Sequence, residues 1–264
     1  MNKIAVLYGH GINCDRETKI AFEKAAADLG VVDRVDIQKI HTNEFLKGDR
    51  QLEEFSLFAL PGGFLHGDDI AAGKILAGEL KTKLDEEIRS FVNDGKLVLG
   101  ICNGFQVLAK YPVLTDRRRF TLTWNDSGRF LDRWVHLKVV PDSHCVFLRD
   151  IENIFLPVRH AEGKFVASKE DINSLEDNGQ ICLKYSLEDG SPAEGKFPWN
   201  PNGSLGDVAG VCDPSGRVFG LMPHPEAYIN PLQRPGFIRD KVDMELGEGI
   251  KIFRNALKYI LEEM

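Results

Sequence analysis

The chain has 264 residues, 43% of them hydrophobic and 28% charged, and a formal net charge of −7. That length accommodates one large α/β domain or two small ones with a substantial core. The acidic balance argues against a general nucleic-acid or anionic-membrane surface. The five cysteines, an odd number with no C-x-x-C pair, fit neither a disulfide framework nor a zinc ribbon. Reduced thiols in a soluble cytoplasmic protein are the expectation, because no leader segment and no apolar run long enough to span a bilayer is present.

Lys3 to Tyr8 reads as an apolar strand, followed by the loop Gly9 to Asp15 and a helix from Arg16 to Leu29 capped by Asn13 or Asp15. The loop approximates the dinucleotide fingerprint G-x-G-x-x-G, but Cys14 occupies the third glycine position, and a nucleotide-binding oxidoreductase is disfavoured. Val31 to Ile40 and Phe55 to Leu60 are further strands. The second of these ends in Pro61-Gly62-Gly63-Phe64, whose glycines can expose backbone N–H groups to a ligand. The stretch His66 to Lys74 only superficially resembles a phosphate-binding loop. Its glycine spacing is too long, and Ile75 stands where Ser or Thr would hold magnesium. Leu80 to Asn93 is an amphipathic helix with Leu80, Leu84, Ile88 and Phe91 on one face, closed by Gly95.

Lys96 to Ile101 is an apolar run suited to a central parallel strand buried on both faces. Phe105 to Tyr111 continues at helical spacing. Between them, Gly100-Ile101-Cys102-Asn103-Gly104 is a cysteine version of the G-x-S-x-G nucleophile elbow. A thiol raised there at a helix N-terminus is favoured as the thiolate. In a cysteine hydrolase, Gly63 and the N–H of Asn103 would form the oxyanion hole.

After Tyr111 the strand–helix alternation stops. The segment at about 112–134 is polar, turn-rich and carries Arg117-Arg118-Arg119. Trp134 to Val140, Ile154 to Val158 and Gln180 to Tyr185 read as antiparallel strands. The loop at about 191–206 is long enough to imply a role of its own. Val208 to Cys212 and Val218 to Met222 form a hairpin, and Gly249 to Glu263 is the closing helix, with Ile252, Phe253, Ala256, Tyr259 and Ile260 buried.

A thiolate nucleophile needs a base and a group to orient it. Two H-x-E candidates exist, His160 with Glu162 and His224 with Glu226. The second lies between prolines directly after an apolar strand, on stiff backbone that suits a positioned pair. The H-x-E spacing also occurs in zinc deaminases, but their P-C-x-x-C partner is missing.

Together, Pro61-Gly62-Gly63-Phe64, Gly100-Ile101-Cys102-Asn103-Gly104-Phe105-Gln106 and Pro223-His224-Pro225-Glu226 resemble the class I (triad) glutamine amidotransferases. Within them the chain is similar to the glutaminase subunits of phosphoribosylformylglycinamidine synthase. Asn13-Cys14-Asp15, Gly67-Asp68, the stretch Asn125 to Phe130, His160-Ala161-Glu162-Gly163 and the stretch Asn200 to Ser204 support the likeness. Tyr111 to Arg119 departs from it. The resemblance implies a single α/β unit over residues 1–264, with a flavodoxin-like three-layer architecture. Its sheet would have a mostly parallel core with antiparallel additions and helices on both faces. The resemblance further implies Cys102 as nucleophile, His224 as acid/base and Glu226 as its orienter. Gly63 and Asn103 would supply the oxyanion hole, and Gly62, Phe64, Gln106 and His160 the substrate contacts. No metal or cofactor is implied in this chain. ATP and magnesium would sit on a synthetase subunit, which receives ammonia and works with a small third subunit. The alternatives are another cysteine hydrolase of similar fold and a non-catalytic glutamine-sensing module.

Overall fold

The computed structural model describes residues 1–115, 119–141, 143–239 and 245–264. Its first strand, β1 (Asn2–Tyr8), buries Ile4 to Leu7 and leads through the glycine loop into helix α1 (Asp15–Asp28). There follow β2 (Val35–His41), α2 (Thr42–Leu46), β3 (Leu57–Leu60), α3 (Lys74–Lys83), α4 (Asp85–Asn93), β4 (Leu97–Ile101) and α5 (Asn103–Lys110). The later part comprises β5 (Phe120–Thr123), β6 (Leu131–Val139), β7 (Asn153–His160), β8 (Lys164–Ala167) and α6 (Lys169–Asp177). The chain closes through β9 (Ile181–Ser186), β10 (Val208–Cys212), β11 (Val218–Leu221) and α7 (Ile250–Glu262).

Nine strands form one sheet in the order β2-β1-β3-β4-β11-β10-β9-β6-β7, and β5 pairs with β8 in a separate ribbon. Neighbours from β2 to β11 are parallel, and those from β11 to β7 are antiparallel. The crossovers explain the layers. Strand order runs outward from β1 in opposite directions toward β2 and toward β4. Right-handed connections therefore place α1 on one face and α3 and α4 on the other. Accordingly α1 packs on α7, while α3 packs on α5. Every residue of β3 and β4 is buried, as a strand covered on both faces requires.

Several expectations are refined. The stretch Leu80 to Asn93 is not one helix, because Leu84, at φ −132 and ψ 11, separates α3 from α4. The apolar stripe survives the break, with Leu80, Leu84, Ile88 and Phe91 all buried. Neither Asn13 nor Asp15 caps α1; Cys14 holds the cap position, and its carbonyl accepts the Thr18 hydroxyl at 2.7 Å. Val31 to Arg34 is a turn before β2, not part of the strand. The segment read as merely turn-rich contains β5, whose alternating Phe120 and Leu122 are buried against β8. Arg117 and Arg118 lie outside the described residues, whereas Arg119 reaches Asp171 at 3.3 Å. No helix among the described residues is long and apolar enough to cross a membrane.

Glycine contacts between layers yield a direct stability test. A Cβ on Gly104, in α5, would come 1.9 Å from the Leu60 carbonyl of β3, whereas one on Gly78, in α3, would meet nothing within 4 Å. In urea unfolding, Gly104→Ala is expected to destabilise the protein by about 3 kcal/mol. Gly78→Ala is expected to stabilise it by up to about 1 kcal/mol; equal effects would contradict the helix–sheet approach described here.

Candidate active site at the carboxyl edge of the parallel strands

Cys102 follows β4 directly and adopts φ 50, ψ −101, a conformation that non-glycine residues rarely hold. Its neighbours make the turn possible. A Cβ on Gly100 would lie 2.6 Å from Leu108 Cδ1, and one on Gly104 would strike β3, so the helix can close on the sheet only with glycine at both places. The Cys102 N–H donates to the Leu221 carbonyl at 2.8 Å, fixing the turn to β11. Its thiol contacts the Arg159 carbonyl at 3.6 Å.

β11 lies parallel beside β4, so its carboxyl end delivers Pro223-His224-Pro225-Glu226 to the same edge. The His224 N–H donates to the Pro157 carbonyl at 2.8 Å, which ties this segment to β7. The imidazole Nδ1 and Glu226 Oε1 are 2.6 Å apart, with both side chains at most 4% exposed. A carboxylate on Nδ1 makes that nitrogen the donor and leaves Nε2 for the reaction. Nε2 has no hydrogen-bond partner among the described residues. Burial disfavours the imidazolium, but the charge of Glu226, then the sulfurs of Cys102 and Cys14, outweigh it and hold the His224 pKa well above its ordinary value.

Cys102 opens into a cleft of about 210 Å³ lined by Gly63, Phe64, Asp68, Gln106, Arg159 and His160, among others. Gly63, at φ 154, carries an isolated β-bridge to Ile12, and a Cβ there would collide with the Gly11 carbonyl at 2.4 Å. Gly62 sits behind it, where a side chain would press on the His224 ring at 2.8 Å. Asn103 opens α5; its side chain accepts the Leu65 N–H and donates to Asp68 at 3.1 Å and Gln106 at 2.7 Å. Gln106 in turn donates to the Glu162 carbonyl at 2.6 Å, so its amide is engaged at both ends and braces the cleft wall. Phe64 is half exposed at the rim.

His160 reaches the same cleft but in a different electrostatic setting. Its Nδ1 meets the neutral Asn125 amide at 3.0 Å, and Glu162 turns away to accept the Ala72 N–H at 3.3 Å. Burial, with the charge of His224 added, pushes the His160 pKa down to about 3. Of the two H-x-E candidates, only His224 has its carboxylate on the ring.

Spacing did not reveal Trp124 and Arg159, which line the cleft, or Cys14. The Cys14 Sγ, a His224 ring nitrogen and a Glu226 oxygen lie within 4.8 Å of one another. Its proximity follows from β1 and β3 being neighbours, with the Cys14 N–H donating to the Gly62 carbonyl at 3.2 Å. Burial pushes the Cys14 thiol pKa up, which keeps it protonated. The loop at 191–206 proves to be a brace. Asn202 donates to the Gly163 carbonyl at 2.8 Å, and Ser204 accepts the Phe165 N–H at 3.0 Å, supporting the wall behind His160.

Residues 1–260 match the family model of the CobB/CobQ-like glutamine amidotransferase domain. The phosphoribosylformylglycinamidine synthase subunit PurQ of Dehalococcoides mccartyi is 43% identical, over 97% of both chains. The PurQ subunit of Methanococcus maripaludis is 37% identical, also over 97% of both. A chain of the PurLQS structure from Thermotoga maritima superposes with a TM-score of 0.72 at 30% identity, covering 98% of this chain and 99% of that one. The glutaminase domain of Trypanosoma brucei CTPS shares the fold alone, at TM-score 0.56 and 14% identity, over 100% of this chain and 95% of that one. The chain belongs to the glutamine amidotransferases, in the family of phosphoribosylformylglycinamidine synthase PurQ subunits.

Proposed function

We propose that Cys102, His224 and Glu226 hydrolyse the side-chain amide of glutamine, and that this chain is the glutaminase subunit of a phosphoribosylformylglycinamidine synthase in purine biosynthesis. The observation that carries this reading is the 2.6 Å His224–Glu226 pair, buried beside a thiol on a strained elbow at the cleft floor. His224 takes the Cys102 proton, and the sulfur attacks the amide carbon of glutamine. The N–H groups of Gly63 and Asn103 receive the developing oxyanion, each worth about 10²–10³ in rate. His224 then protonates the departing ammonia, leaving a γ-glutamyl thioester. Water activated by the neutral imidazole releases glutamate. Glu226 holds the tautomer and stabilises the imidazolium in both halves of the cycle.

The rest of the cleft supports an amino-acid substrate. Arg159 and Asp68 both line it and supply charges of opposite sign, as the carboxylate and ammonium of glutamine require. Gly62, Phe64, Gln106 and His160 shape the remaining wall, with His160 kept neutral so that it adds no cation. The whole chain acts as a single cytoplasmic amidotransferase unit. Ammonia passes to a synthetase subunit, which binds ATP and magnesium and makes formylglycinamidine ribonucleotide, and a small third subunit completes the assembly.

In a reconstituted complex, Cys102→Ala is expected to abolish glutamine-dependent synthesis while ammonia-dependent synthesis persists; loss of both would refute the division of labour. His224→Ala should lower glutamine-dependent kcat by about 10²–10⁴, with His160→Ala far milder, and the reverse ranking would reassign the base. Glu226 raises the His224 pKa, so imidazolium persists to higher pH with it than without it. Glu226→Gln therefore moves the alkaline limb of the kcat/KM profile to lower pH. A limb that stays fixed or moves upward would count against Glu226 as the partner.

A further inference from the structure

Away from the catalytic edge, three of the five cysteines converge. Cys182 lies in β9, Cys212 ends β10, and Cys145 precedes the turn Val146–Leu148 that packs on α7. All three thiols are free and at most 1% exposed, and their Sγ atoms lie within 4.8 Å of one another. We propose that Cys145, Cys182 and Cys212 form the thiolate face of a zinc site, with His144 as fourth ligand, separate from the amidotransferase centre.

The geometry is close to what the ion needs. Sulfurs at the corners of a 4.8 Å triangle lie ~2.8 Å from its centre, and contraction to sides of ~4 Å brings them to the ~2.3 Å of a Zn–S bond. His144 borders the cluster. Its ring lies over Gly179, where a Cβ would come 2.9 Å from Cε1, and the Gly179 carbonyl takes the Cys212 thiol at 3.7 Å. The ring nitrogens of His144 stand outside the 4.8 Å cluster, and this exposed side chain must turn toward the sulfurs to complete the set. Three soft thiolates with one imidazole are a zinc donor set. Zinc offsets two of the three thiolate charges, whereas three bare buried thiolates would be prohibitive. Each thiolate forms as the metal displaces its proton. No C-x-x-C spacing marks the site because its ligands come from separate elements.

The test uses the full chain carrying Cys14→Ser and Cys102→Ala, which removes both active-site thiols. Cobalt(II) and zinc are titrated under reducing conditions, zinc in competition with a chromogenic chelator. The expected result is about one equivalent bound, with strong near-ultraviolet thiolate-to-cobalt absorption and affinity falling as pH falls. Adding Cys212→Ser should abolish that absorption. Adding His144→Ala should keep it while weakening binding at least about tenfold. Absence of thiolate–cobalt absorption and of zinc uptake in the parent protein would overturn the proposal, and that measurement requires no substitution in the three-cysteine cluster. Uptake unchanged by Cys145→Ser and Cys212→Ser in chains whose far-ultraviolet circular dichroism is unaltered would overturn it equally.

Discussion

Leu221 lies opposite Ile101 in parallel register, and its carbonyl accepts the Cys102 N–H at 2.8 Å. Through this pairing two segments more than a hundred residues apart in sequence end at one sheet edge, the thiol on one and the imidazole on the other. Side chains alternate faces along a strand, so a one-residue slip would turn buried positions of β11 to the wrong side and displace His224 with them. Register also sets the depth of the helix above. Gly100 and Gly220 pair directly across β4 and β11, and Cβ atoms there would lie 2.6 Å from Leu108 and 2.1 Å from Phe105. The two glycines form a trough in which α5 lies close to the sheet, and that closeness brings its N-terminus under Cys102.

The elbow stores strain that its surroundings must hold. A non-glycine residue at φ 50, ψ −101 costs of order 1–3 kcal/mol. The β11 hydrogen bond and the packing of Phe105 and Leu108 oppose its relaxation. Around it the cleft is fixed by amide groups more than by charges. Asn103, Gln106, Asn125, Asn200 and Asn202 are each nearly fully buried and hydrogen-bonded, mostly to backbone carbonyls and N–H groups. Such a network keeps the walls in one arrangement without placing a competing ion beside Cys102.

The contrast between two buried histidines is the main electrostatic feature. His160 and His224 are equally inaccessible, and each is followed two positions later by glutamate. Only Glu226 turns back onto its ring, and the two histidines are driven in opposite directions as a result. One keeps its imidazolium to higher pH, and the other stays a neutral wall. Burial alone would have lowered both.

Local sequence determined much of this protein. Apolar runs specify β1, β3 and β4, helical spacing specifies the buried stripe of α7, and the G-x-C-x-G turn between strand and helix places Cys102 at a strand end. Motif likeness extended over nearly the whole chain and indicated the amidotransferase family. Other features depend on contacts between distant segments, and no local pattern encodes them. The division of the helix at Leu84 is one such feature. Another is the β5–β8 ribbon, whose members are short and forty residues apart. The brace at residues 191–206 and the approach of Cys14 to His224 arise from neighbouring strands. Two H-x-E pairs looked alike in the linear chain; tertiary structure alone decided which glutamate would face its histidine, because the backbone after β7 spends Glu162 on the Ala72 N–H while the stiff Pro-flanked turn after β11 folds Glu226 onto Nδ1.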